Sequence, residues 1–81
     1  MFNIAVCKDR EGYFAQWGLD ENRRALDLLR SGTEVVFEVE AEYLNQAWKR
    51  ARAEARRRGI KRVTGLDKFY YLRLIKSVRG A

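Results

Sequence analysis

The stretch from Thr33 to Glu40 constrains the fold more than any other part of the chain. Val35, Phe37 and Val39 alternate with Glu34, Glu38 and Glu40, and only Val36 breaks the pattern. Side chains on a strand point alternately to opposite faces, so this segment predicts a strand with one buried side and one wet side. Such a strand is not stable alone. It needs neighbours along its edges and a layer of packed elements over its apolar face.

The rest of the chain supplies both. Phe2, Ile4 and Val6 alternate with Asn3, Ala5 and Cys7, which predicts a first strand. A polar turn, Lys8 to Gly12, leads to a second strand, Tyr13 to Trp17, and so to a hairpin. Asp20 is suited to cap a helix running to about Ser31, with Glu21 at the positive end of its dipole and Gly32 as its stop. Ala25, Leu26, Leu28 and Leu29 fall on one side of that helix, and Arg23, Arg24, Asp27 and Arg30 on the other. A second helix is expected from about Glu42 to Arg58, stopped by Gly59, with Leu44, Ala47, Trp48, Ala51 and Ala55 as its buried stripe. Ile60 to Leu66 reads as a short extended segment. Phe69 to Val78 reads as a final strand because it is rich in aromatic and branched residues, with a helix capped by Asp67 as the alternative. The expected fold is a single α+β domain over residues 1–81, of order β-β-α-β-α-β: a mixed four-stranded sheet with two helices packed on one face.

Composition agrees with a folded chain and narrows its setting. With 81 residues there is room for one core, and such a chain buries only ~60% of the surface it exposes unfolded. A content of 47% hydrophobic and 12% aromatic residues is enough to offset chain entropy despite 35% charge. Cys7 is the only cysteine, so no intramolecular disulfide can staple the domain, and the expected compartment is the cytoplasm. The residues from Met1 to Cys7 have neither the basic leader nor the apolar length of a signal peptide. No apolar stretch approaches the ~20 residues that cross a bilayer, so no membrane partner is expected.

Charge is the most informative functional signal. Lys49, Arg50, Arg52, Arg56, Arg57, Arg58, Lys61 and Arg62 are interrupted by a single acid, Glu54, within a chain whose whole net charge is +6. Everything else is close to neutral. A basic segment of this kind is the electrostatic footprint of a polyanion-binding site. Lys49, Arg52 and Arg56 form a row on one flank of the second helix, suited to following a phosphate backbone, and Arg57, Arg58, Lys61 and Arg62 extend it. The competing explanation is structural. Cations near a helix C-terminus gain ~0.3–1 kcal/mol each from the macrodipole, and Glu34, Glu38 and Glu40 could pair with this helix if they lie alongside it.

Aromatic residues give a second, weaker signal. If Phe69-Tyr70-Tyr71 is a strand, Tyr70 faces away from its neighbours, and an exposed ring on a sheet can stack a base at ~1–3 kcal/mol. Trp17 ends the second strand beside Gly18, where partial exposure would mark an interface. Trp17, Tyr70 and Tyr71 are therefore candidate stacking or interface residues. Trp48 belongs to the core.

Catalysis finds no support. The chain has no histidine, so Cys7, Ser31 and Ser77 have no histidine base to activate them. Glu34, Glu38, Glu40 and Glu42 could come ~6.5–7 Å apart at alternate strand positions, but they read as a solvated face without a cleft. The glycines form neither a phosphate loop nor a dinucleotide fingerprint. No catalytic residue, metal site or cofactor is expected.

The first reading is thus a small non-enzymatic protein that binds nucleic acid, DNA or RNA, through the basic helix and the segment 60–62. One alternative is a protein-binding modulator or inhibitor of a larger complex, of the kind carried by phages, mobile elements or bacteria, using the basic helix against an acidic protein surface. The other is a homodimeric structural module that pairs a strand edge or an aromatic face with its copy.

Overall fold

The computed structural model describes residues 1–19 and 24–79. Its first two strands, β1 (Phe2–Asp9) and β2 (Gly12–Gly18), form an antiparallel hairpin that pairs Asp9 with Gly12. The connection is therefore two residues long, tighter than the five-residue polar stretch suggests. Gly12 takes φ 126°, and the Asp9 carboxylate accepts the Glu11 N–H at 2.8 Å. That local bond closes the turn and lets both strands run further.

β3 (Glu34–Ala41) pairs antiparallel with the other side of β1, and β4 (Val63–Thr64) pairs parallel with β2. The order is β3-β1-β2-β4, a mixed four-stranded sheet. Two α-helices, α1 (Leu44–Arg57) and α2 (Lys68–Arg79), complete the chain. Side chains of both join the core built by Ile4, Val6, Trp17 and Phe37, so they cover one face of the sheet. The α+β class, the mixed sheet of four and the two helices on one face are as the sequence predicted. Two of the segments that fill those places are not.

The first correction concerns residues 20–31. Asp20, Glu21 and Arg23 lie outside the described residues, but Arg24 and Leu29 both have extended backbone and bound a single 3₁₀ turn, Ala25–Leu28. No α-helix runs to Ser31. The turn also lies on the opposite face, against Ala5 and Cys7. There Asn3 Oδ1 accepts the Ala25 N–H at 3.1 Å, and Arg24 pairs with Glu38 and Glu40. Ala25 and Leu29 meet the sheet, whereas Leu26 and Leu28 remain exposed. β1 is consequently buried on both sides, with Ile4, Ala5, Val6 and Cys7 all at 0% exposure, rather than half-buried.

The second correction concerns the C-terminal run. Residues 68–79 are helix, not strand. Asp67 caps it: its Oδ1 accepts the Tyr70 N–H at 2.9 Å and its carbonyl the Tyr71 N–H at 3.0 Å. The fourth strand comes instead from the short extended segment after α1.

Val36 turns out to mark a β-bulge. Val6 pairs with Phe37 and Cys7 with Val35, so Val36 is the extra residue. Val36 and Phe37 join the core under the helices, and Val35, expected on that face, lies opposite Cys7 and is exposed. The expected stripe of α1 is in place: Ala47, Ala51 and Ala55 are buried, with Leu44 and Trp48 partly so. The helix ends in a Schellman motif, with the Gly59 N–H on Arg56 O, the Ile60 N–H on Ala55 O, and Gly59 at φ 76°.

Candidate nucleic-acid interface

The eight basic residues from Lys49 to Arg62 divide into two groups. Arg50 reaches the main-chain carbonyl of Glu40 at 2.6 Å. Arg58 reaches that of Val36 at 3.4 Å and lies 5.1 Å from the Phe37 ring centroid. Arg57 and Arg58 both bind Glu54, one turn back on the same helix. These three arginines hold the helix to β3 or to itself. The Arg57 and Arg58 bonds lower the Glu54 carboxyl from 4.5 to about 2, and the same carboxylate pushes Arg57 up.

Lys49, Arg52, Arg56, Lys61 and Arg62 form the second group. Among the described residues none of them has a carboxylate partner. The acidic strand does not neutralise them, because Glu38 and Glu40 are taken by Arg24 beside the 3₁₀ turn. Arg52, Arg56, Lys61 and Arg62 line one cleft of about 750 Å³, walled by the end of α1, β4 and the start of α2. Ala55, Ile60, Val63, Leu66 and Phe69 give it an apolar lining, and Asp67 is the one acid in that lining.

Two tryptophans from different elements fix this cleft. The Trp17 indole, on β2, donates to Gly65 O at 2.8 Å, and the Trp48 indole, on α1, donates to Leu66 O at 2.9 Å. The Trp48 ring stacks on Tyr71 with centroids 4.2 Å apart and planes 2° apart, while the Arg52 guanidinium lies 4.9 Å from the Trp48 centroid. A guanidinium over a ring face keeps its N–H edge able to donate. Gly65 has φ 84°, and a Cβ there would meet Ala15 O at 3.3 Å, so any other residue would strain the backbone and press on β2.

The aromatic residues are sorted differently from the sequence expectation. Trp17 is 4% exposed and Tyr71 8%, so neither presents a stacking face. Tyr70 is exposed, at 40%, and lies beside Trp17, with centroids 6.2 Å apart. The ring that sequence reasoning passed over is Phe69, at 83% exposure. On a strand Phe69 would have shared the face of Tyr71. On a helix it lies two positions, about 200° of rotation, from Tyr71 and points to solvent.

Other candidate chemistry does not assemble. Burial pushes the Cys7 thiol up, away from the reactive thiolate form. Among the described residues no three acidic or cysteine side chains come close enough to hold a metal ion, and no helix is long and apolar enough to cross a membrane. No protein-family model matches the chain, no curated protein matches its sequence, and no solved structure matches its fold.

Proposed function

We propose that this is a non-enzymatic nucleic-acid-binding protein that holds phosphates at the cleft between α1, β4 and α2. One observation carries the reading: of the five cations between Lys49 and Arg62 that have no acidic partner among the described residues, four, Arg52, Arg56, Lys61 and Arg62, line one concave surface. Arg52, Arg56, Lys61 and Arg62 are the contact residues, and Lys49 extends their row along α1. Arg50, Arg57 and Arg58 serve the fold.

Titration of labelled single- and double-stranded DNA and RNA at 50 and 200 mM salt tests this. Four phosphate contacts give a log–log salt slope of about −3, which lowers affinity roughly 50- to 150-fold over that range. Arg56→Ala and Arg62→Ala should each weaken binding and flatten the slope by about 0.7–0.9, whereas Arg50→Ala should leave the slope unchanged. Millimolar or absent binding to all four ligands would overturn the reading. The exposure of Phe69 and Leu72 on α2 favours an acidic protein surface as the second reading, since apolar side chains beside cations suit a protein interface.

A further inference from the structure

We infer that the cleft receives an unpaired base together with its phosphates, so that the bound nucleic acid is single-stranded. This rests on the nucleic-acid reading above and gives it a substrate class.

Shape is the first argument. Proteins that read a duplex insert a protruding helix or ribbon into a major groove ~12 Å wide. Here the cations line a half-open hollow of about 750 Å³, similar in volume to the ~300–1,000 Å³ of small-molecule sites. A hollow accepts a group projecting from the ligand. A duplex keeps its bases inside, and only a single strand can offer one.

The lining is the second argument. Phosphate needs donors and charge alone, yet Ile60, Val63 and Leu66 lie among the cations. Such a surface gains from a flat apolar partner and has no use for a phosphate by itself. Phe69 is the third. It is the most exposed large apolar side chain among the described residues, and it is held at the first turn of a helix capped by Asp67. Its ring cannot retreat into the core, because Tyr71 already occupies the place against Trp48. Stacking on an unpaired base removes one face of that ring from water, while Arg56, Lys61 and Arg62 meet the flanking phosphates.

The experiment compares a labelled single strand with a blunt duplex of equal length, as DNA and as RNA, for the wild type, Phe69→Ala and Phe69→Tyr. An acidic polyglutamate peptide serves as a charge-matched competitor. The single strand of at least one sugar type should bind ten-fold or more tightly than its duplex. Phe69→Ala should weaken it about 5- to 100-fold without changing the salt slope, and Phe69→Tyr should restore most of the loss. Phe69 is solvent-exposed, so the circular dichroism spectrum should be unchanged in both variants. Equal affinity for strand and duplex, an unaltered Phe69→Ala variant, or competition by polyglutamate as effective as that by the oligonucleotide would overturn the inference. The first two of these outcomes would leave salt-dependent nucleic-acid binding standing. Loss of binding to every nucleic acid would remove both.

Discussion

At the scale of single residues, Glu54 decides how much of the basic helix is free. Its carboxylate accepts from Arg57 and Arg58, and those bonds hold its pKa near 2 instead of 4.5. A carboxyl whose folded pKa is depressed favours the folded state fully above its ordinary value. That contribution disappears as pH falls through the folded value. The window is therefore pH 4.5 down to about 2. Glu54→Gln should lower the melting temperature most at pH 5 and above, and the gap to the wild type should close towards pH 2. Equal gaps at pH 2 and pH 6 would show that the pair contributes nothing through charge. The same substitution releases the Arg57 guanidinium beside the cleft, while Arg58 keeps its contacts with Val36 O and the Phe37 ring. Nucleic-acid affinity at pH 7 should rise, and the salt slope should steepen by about 0.7 for each added phosphate contact.

At the scale of elements, the chain from Val63 to Tyr71 is held by the two tryptophans. Each indole N–H occupies a main-chain carbonyl of the loop, and Trp48 also supplies the platform for Tyr71. Trp48→Phe keeps a ring but leaves Leu66 O without its donor. It should cost about 1–3 kcal/mol in urea unfolding, and it should remove Arg52 from its place over the indole. If stability fell by that amount while binding stayed intact, the clamp would be structural only. The sequence makes these elements unequally legible. The stripe Ala47, Ala51, Ala55 and the stop at Gly59 state α1 in full, because spacing and termination agree. In the C-terminal run the β-forming composition competes with a helical pattern. Tyr71, Leu74 and Ile75 lie at i, i+3 and i+4 behind a capping Asp67, while Phe69, Tyr70 and Leu72 blur that stripe with exposed apolar side chains. The 3₁₀ turn was hidden for a different reason. Its first N–H is held by a tertiary bond from Asn3, 22 residues away, which local periodicity does not contain. The basic segment was readable as a patch, but its division was not, since Arg50 and Arg58 bind carbonyls of a strand that only the fold brings alongside.

At the scale of the whole molecule, the strand edges bear on how many copies act together. β3 is an eight-residue edge strand, the kind that invites pairing with another chain. Arg50 and Arg58 already occupy two of its main-chain carbonyls, at Glu40 and Val36. Its glutamates would also face their own copies in a symmetric antiparallel pair, where like charges oppose association. The other edge, β4, is two residues long. The protein should therefore work as a monomer. Its longest dimension is 33 Å, and a stacked strand rises about 3.4 Å per nucleotide, so one copy can cover no more than about ten nucleotides. Stoichiometric titration of a long single strand at low salt should saturate at about ten nucleotides or fewer per chain. Sedimentation of the free protein should give a constant mass near 9.5 kDa across the micromolar range. A mass that rises with concentration towards twice that value would mean that the edge is not blunted. The binding surface would then have to be rebuilt around two clefts in place of one.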